Sequence, residues 1–221
     1  MTKTTERSRA LAFIKSEGIC LAFPKKNSDL KKEPDSIWRS FYPRSKMKWE
    51  WDEAGDGRVF RLWHLRAELS KSSQVVYVKW FQDRGTFLSK EYFSSLYLWL
   101  NRDRLENLTK GLSSEAENIL NLLQESSPQS PKLIRKRLGL KGKDLKKDYD
   151  KAIKSLFRRL LIVGYGEKED GSFPSLMLGS SALLFEQALI AQKKKLNLES
   201  RIEKICQKHQ FLKRYLLRYE N

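Results

Sequence analysis

The stretch "LIVGYGEKEDGSFPSLMLG" (residues 161–179) decides the fold that the sequence indicates. Two apolar runs flank a charged turn that contains glycine, and this pattern is typical of a β-hairpin. The segment immediately before the stretch is dense in lysine and arginine and has the periodicity of a helix. The hairpin is therefore either an ordinary surface element or the wing of a domain that lies on nucleic acid.

Three helices are predicted before the hairpin. The first begins at Ser113 or Ser114, either of which is a suitable N-cap. The second is "PKLIRKRL" (131–138), which begins with proline and is followed by Gly139. The third covers about residues 144–160, with apolar side chains at helical steps: Leu145, Tyr149, Ile153, Leu156 and Leu160. Three helices followed by two strands are the element order of a winged helix. We therefore interpret residues 111–182 as a winged-helix domain and 161–179 as its wing, with Lys168 in the tip.

The rest of the chain indicates a second α+β unit and a helical extension. Residues 1–110 are predicted as three helices, a hairpin and a fourth helix, because "QVVYVKWF" and "GTFLS" flank the short turn "QDR". Residues 183–221 are predicted as one or two helices whose apolar stripe packs on the preceding domain or on a second copy of the chain. The stripe consists of Ile202, Ile205, Leu212, Leu216 and Tyr219. The predicted fold class is α+β and mainly helical, with tandem winged-helix domains and with C-terminal helices that offer a route to a homo-oligomer.

The charge balance points to a polyanionic partner. Lysines and arginines number 44 against 27 aspartates and glutamates, which gives a net charge of +17. Positive residues outnumber negative ones in each of the segments 1–110, 111–182 and 183–221. Such a field attracts nucleic acid first and an anionic membrane second, whereas a merely soluble basic protein is the less specific alternative. We expect duplex DNA as the partner.

Cysteine usage and hydropathy indicate a cytoplasmic protein. The two cysteines, Cys20 and Cys206, are far apart and have no metal-binding spacing, and so few cysteines in a chain of this length suggest reduced thiols. The first residues are charged and amphipathic, without the apolar core of a signal peptide. No apolar run approaches the roughly 18 residues that a membrane span requires.

One face of the third helix carries the cations that we expect to contact phosphates. Four of them follow one another at helical steps and share a face that differs from the apolar one. They are Lys147, Lys151, Lys154 and Arg158. In a winged helix, the outward face of this helix meets the DNA groove. The further candidates for DNA contacts are Lys141 and Lys143 at the start of the helix, Lys168 in the wing, and Lys79 and Arg84 on the first hairpin.

The sequence predicts no metal site, no cofactor and no catalytic residue. His64 and His209 are isolated, as are the two cysteines, so no zinc site is predicted. The segment "GYGEKEDG" lies between two strands and not before a helix, so it does not match a phosphate-binding loop. Asp83 precedes Arg-Gly in a turn, and turn chemistry accounts for an aspartate at that place.

Three segments carry a resemblance to a known family. They are "GICLAFPKKNSD…IWRSFY", "VVYVKWFQDRGTFLSKEYF" and "DYDKAIKSLFRRLLIVGYG". In these segments the chain resembles the AlkZ-type (YcaQ-like) tandem winged-helix proteins, especially their short bacterial relatives. The resemblance implies a DNA-binding architecture of repeated winged helices and, for the full-length enzymes, excision of alkylated bases.

The chain departs from this family at the residues that would carry catalysis. The resemblance implies a polar pair, Gln-apolar-Gln or Gln-apolar-Asp, near "GICLAF". This chain has Leu21 and Phe23 there, and neither side chain donates, accepts or takes a proton. We therefore predict a non-catalytic DNA-binding protein with a role in DNA repair or maintenance. A DNA glycosylase with an atypical active site is the alternative, and a module that meets protein or RNA through basic winged helices is a third.

Overall fold

The structure is a computed structural model that describes residues 3–25, 32–45, 47, 57–140, 142–169, 174–195 and 197–217. The first part of the chain forms α1 (Lys3–Glu17), β1 (Ile19–Leu21), α2 (Ile37–Phe41), α3 (Gly57–Lys71), β2 (Val75–Lys79), β3 (Gly85–Ser89) and α4 (Lys90–Leu100). The middle part forms α5 (Ser114–Glu125), α6 (Pro131–Arg137), α7 (Lys143–Arg158), β4 (Ile162–Lys168) and β5 (Ser175–Ser180). The last part forms α8 (Ser181–Leu184), α9 (Glu186–Lys193), α10 (Leu198–Lys208) and α11 (Gln210–Leu216). A 3₁₀ turn, Phe81–Asp83, connects β2 to β3.

Serine side chains determine where several helices begin. The hydroxyls of Ser36, Ser89, Ser113 and Ser130 each accept a hydrogen bond from the backbone N–H three residues later, at 3.2 or 3.3 Å. Each satisfies an N–H that has no partner inside its helix, which stabilises the helix by about 1 kcal/mol. Of the two caps predicted for the helix near residue 114, Ser113 is the one that the structure contains.

Both predicted hairpins are present, and they join in one antiparallel sheet. The strand order is β1-β3-β2-β4-β5, with Tyr77 of β2 opposite Gly164 of β4. Glycine is needed where the ring of Tyr77 lies: a Cβ at Gly164 would lie 2.8 Å from its Cδ1, and one at Gly85 would lie 2.4 Å from its hydroxyl oxygen. β4 and β5 therefore do not project freely but continue the sheet of the first hairpin.

A buried ion pair links helix α3 to the second hairpin, close to the place where the two hairpins meet. The guanidinium of Arg66, on α3, donates to the carboxylate of Glu167, on β4. The side chain of Arg66 is only 4 % exposed and lies against the rings of Trp63 and Tyr77, at 4.1 and 5.3 Å from their centroids. The hydroxyl of Ser70 accepts the backbone N–H of Gly166 at 3.0 Å, which adds a second link between α3 and β4.

The sheet has an apolar core on each face because successive residues of a strand point to opposite sides. On β2, Val75 and Tyr77 belong to the core that α1, α2 and α3 cover. Val76 and Val78 belong to the larger core, which α4, α5, α7 and the C-terminal helices cover. The result is three layers, with the sheet in the middle.

The C-terminal helices cover the first part of the chain. Ile202, Ile205, Leu212 and Leu216 are buried in the larger core, while Tyr219 lies outside the described residues. This core contains residues of α4 as well as of α5 and α7, and α9 and α10 contact α4 directly. His209 is also buried there, with its Nε2 2.8 Å from the carbonyl oxygen of Glu17. The stripe that suggested pairing with a second copy is thus covered within the chain.

The fold class predicted from the sequence, α+β and mainly helical, is confirmed. Over the ranges that the structure describes, none of the helices combines the length and the apolar character that a membrane crossing demands.

Candidate nucleic-acid interface

The third helix of the middle part, α7, lies on the core with one face and exposes the other. Tyr149, Ala152, Leu156 and Phe157 are buried, and Ile153 is half-buried. Leu145 is four residues before Tyr149 and lies on the same face, but the expectation that it packs in the core is wrong, because its side chain is 40 % exposed. Leu145 lies in the first turn of α7, before the helix reaches the buried positions that begin at Tyr149.

At the end of α7, the side chains of two adjacent arginines point in different directions. Arg158 is exposed, whereas Arg159 turns inward and donates to the carbonyl oxygens of Leu108 and Lys110, at 2.8 and 3.1 Å. Burial lowers the pKa of Arg159 to about 10 by desolvating its guanidinium, which still leaves it charged at neutral pH. Arg159 therefore anchors the helix end, and Arg158 is the cation that faces solvent.

The predicted basic residues of α7 form a continuous exposed stripe. Lys147 is exposed, and the side chains of Lys151, Lys154 and Arg158 are exposed by 80 %, 57 % and 53 %. We call Lys147, Lys151, Lys154 and Arg158 the α7 stripe. Because its cations project on the side opposite the core, a large anionic ligand can reach them without any rearrangement of the fold.

Two carboxylates lie on the α7 stripe. Oδ2 of Asp83, in the turn between β2 and β3, is 3.5 Å from Nζ of Lys154 and 3.6 Å from Nη2 of Arg158. Asp148 lies 3.8 Å from Nζ of Lys151. Exposed pairs of this kind contribute at most about 1 kcal/mol each, so a phosphate can replace the carboxylates as the partner of these cations.

The turn that carries Asp83 has an unusual backbone. Gln82 and Asp83 both have left-handed conformations, with φ of 53° and 58°. The indole N–H of Trp80 donates to the carbonyl oxygen of Arg158 at 3.1 Å and thereby fixes the turn against the end of α7. The sequence indicates only an ordinary turn at Asp83. It contains no local signal that this turn lies beside the α7 stripe.

The other predicted contact residues are dispersed over the surface. Lys168 ends β4, opposite Ser175, and its side chain is exposed. Lys79 ends β2 and is also exposed; desolvation and the positive charge of Arg66 lower its pKa from the usual lysine value. Arg84 is half-buried and donates to the carbonyl oxygens of residues 23 and 24, at 3.3 and 2.9 Å. Lys141 and the side chain of Lys143 lie outside the described residues.

The two positions at which the resemblance implies a polar pair are apolar core positions. Leu21 is fully buried, and Phe23 is nearly so, with its ring stacked on Trp63 at 6.1 Å between centroids. His64 is exposed, with its ring against that of Phe60. In the part of the chain that the structure describes, no three His, Cys, Asp or Glu side chains come together in a way that suits a metal ion.

The sequence matches one family over nearly its whole length. A family model described as "AlkZ related" matches residues 5–214. No curated protein and no solved structure matches the chain significantly. The match includes both hairpins, the α7 stripe and most of the C-terminal helices. The chain therefore belongs to the AlkZ-related family.

Proposed function

We propose that the protein binds duplex DNA through the α7 stripe, in a role connected with DNA repair. The observation that carries the proposal is the position of the four stripe cations, all exposed on the face of α7 opposite its buried residues. Membership in the AlkZ-related family suggests a repair-associated protein. Lysines and arginines on a helix surface neutralise phosphates, and such contacts supply most of the affinity for DNA of any sequence.

The same proposal interprets residues 111–182 as a winged helix. The order α5, α6, α7, β4, β5 supports it, and so does a short bridge between the first two helices and the wing. Gln129, between α5 and α6, pairs with Leu178 of β5 through two backbone hydrogen bonds of 2.8 and 2.9 Å. This bridge adds a third strand position to the hairpin and holds α6 beside it. We infer that residues 1–110 form the first unit of a tandem and residues 183–221 its extension, with the two hairpins sharing one sheet.

Little sequence preference is expected from this surface. Three of the four stripe cations are lysines, and a lysine ammonium is a flexible point charge that suits phosphate oxygens better than base edges. The arginine, Arg158, is paired with Asp83 and fixed through its backbone by Trp80. A protein of this kind recognises the charge and the shape of the duplex.

The proposed function predicts DNA binding with a strong dependence on salt. If about six to ten phosphates are neutralised, the affinity for a fluorescently labelled duplex falls by roughly 10³–10⁵ between 50 and 200 mM salt. Fluorescence anisotropy at several salt concentrations measures this slope. Absence of binding at the lowest salt, or an affinity that stays constant across the range, would rule out the proposed function.

A second prediction concerns the glycosylase alternative. We expect no base excision from alkylated duplex DNA, because apolar side chains occupy the two positions of the polar pair and are buried in the core. The measurement is strand cleavage at abasic sites after incubation with alkylated and plain duplex, with an active DNA glycosylase as positive control. Lesion-dependent abasic products that disappear with Asp83→Asn would overturn this expectation and identify Asp83 as the missing general base.

A further inference from the structure

A pocket of about 290 Å³ lies between the turn after β2 and helix α11. Its lining includes the aromatic rings of Phe81 and Phe211 and the side chains of Gln82, Gln210 and Arg214. The volume is just below the roughly 300–1,000 Å³ of small-molecule sites, so the pocket has room for one base but not for a base pair. We call it the Gln82 pocket.

The chemistry of the Gln82 pocket matches the parts of a single nucleotide. Phe211 is half-buried and packs edge-on against the buried Phe81, at 5.4 Å between centroids, which leaves aromatic surface at the wall. Gln82 and Gln210 are exposed amides that both donate and accept, as the edges of bases do. Arg214 and Lys32 supply positive charge at the lining, as a phosphate requires. Aromatic surface beside cations is the combination that binds unpaired nucleotides.

The backbone of Gln82 is held in a strained conformation at this pocket. Its φ and ψ are 53° and 41°, a left-handed conformation that costs a residue other than glycine free energy. Two hydrogen bonds maintain it: the N–H of Gln82 donates to the hydroxyl of Tyr215 at 3.1 Å, and that hydroxyl donates to the carbonyl oxygen of Trp80 at 2.6 Å. Strain that the surrounding structure maintains in this way is concentrated at binding and catalytic sites.

The Gln82 pocket continues the surface of the α7 stripe. Asp83, the next residue along the turn, contacts Lys154 and Arg158 of the stripe. A DNA strand whose phosphates follow the stripe therefore passes the turn at which the pocket begins. The β2–β3 turn forms one side of the pocket, and α11 forms the other. The C-terminal extension therefore forms part of a candidate binding site in addition to covering the core.

We propose that the Gln82 pocket binds one unpaired nucleotide of a DNA strand held on the α7 stripe. The base lies against Phe211 within reach of the amides of Gln82 and Gln210, and its phosphate lies toward Lys32 and Arg214. This inference rests on the proposed DNA binding and adds to it a preference for DNA that carries an unpaired nucleotide. Fully paired DNA still binds through the stripe, but without the additional contact.

The test compares two labelled duplexes that differ by one unpaired adenine, a single-nucleotide bulge. Wild-type protein is expected to bind the bulged duplex roughly tenfold more tightly, within the range that the stacking of one base provides. The double variant Gln210→Ala/Arg214→Ala is expected to bind both duplexes equally. Both side chains are exposed, so the fold is retained. The matched control, Gln124→Ala/Arg61→Ala, removes an exposed amide and an exposed cation that do not line this pocket, and it keeps the tenfold preference.

A second measurement separates this inference from the proposed function. Deoxyadenosine monophosphate is added to isotopically labelled protein, and the side-chain amide signals of Gln82 and Gln210 are followed by NMR. A shift of the Gln82 signal that occurs in wild type and is absent in Gln210→Ala/Arg214→Ala supports the pocket even if no duplex binds. Equal affinity of wild type for the two duplexes, a preference that survives in the double variant, or no shift with the free nucleotide would overturn the inference. The first two of these results leave the proposed duplex binding intact.

Discussion

Replacing Glu167 with alanine is expected to lower the free energy of unfolding by about 3–5 kcal/mol, because it leaves the charge of Arg66 buried without its anion. The guanidinium is almost completely covered and lies between two aromatic rings. Among the residues that the structure describes, the Nε of Arg66 has no hydrogen-bond partner, so the interaction with Glu167 is the main compensation for the lost hydration of the guanidinium. The measurement is urea unfolding, followed by circular dichroism.

Two further variants test whether the loss arises from an uncompensated charge. The double variant Arg66→Met/Glu167→Leu replaces the pair by apolar side chains and is expected to recover most of the lost stability, as buried ion pairs generally allow. Glu68→Ala removes the partner of Arg7 in an exposed pair of 3.4 Å, and is expected to cost at most about 1 kcal/mol. Equal losses for Glu167→Ala and Glu68→Ala would show that burial does not govern the interaction.

The local structure of this chain could be predicted from the sequence because its signals are local. Serine caps, glycine-containing turns and apolar periodicity depend on residues within a few positions of one another. Such patterns predict helix α7 and both hairpins. They also predict that Lys151 and Lys154 point outward. The failure at Leu145 has the same cause, since periodicity identifies a face of a helix but not the point along the axis at which packing begins.

The junction of the two hairpins could not be predicted, since it depends on contacts between distant parts of the sequence. Arg66 and Glu167 are 101 positions apart, and Gln82 and Tyr215 are 133 positions apart. One local signal was available: Arg66 follows Leu62 and Leu65 on the apolar face of α3, where an arginine needs a buried partner. Such a signal indicates that a partner exists but does not identify it.

In the candidate site, too, the features with local sequence signals could be predicted and the contacts between distant segments could not. The cations of the α7 stripe were predicted because four of them recur at helical steps, and their exposure agrees with that expectation. For their partner Asp83 the sequence indicates only ordinary turn chemistry, because nothing in it shows that the turn after β2 lies against the end of α7. The Gln82 pocket was not predicted for the same reason, since its two sides come from the β2–β3 turn and α11.

The triple variant Lys147→Ala/Lys151→Ala/Lys154→Ala is expected to weaken duplex binding and to lower the dependence of its affinity on salt. Each phosphate contact contributes roughly 0.9 to the slope of log affinity against log salt, so three lost contacts lower the slope by about 2.7. All three side chains are exposed on the face of α7 opposite the core, so the free energy of unfolding is expected to stay within about 0.5 kcal/mol of wild type. Fluorescence anisotropy across a salt series, with unfolding measured in parallel, provides both quantities.

The matched control removes the same number of charges from another surface. Lys193, Lys194 and Lys195 are exposed at the end of α9, and their replacement by alanine changes the net charge of the protein by the same amount. If general attraction between a basic protein and DNA governed binding, the two triple variants would lose affinity and slope equally. Because contacts to phosphates are local, we expect the α9 variant to keep nearly the wild-type slope. A folded α7 variant with an unchanged slope would place the DNA on a different surface of the protein.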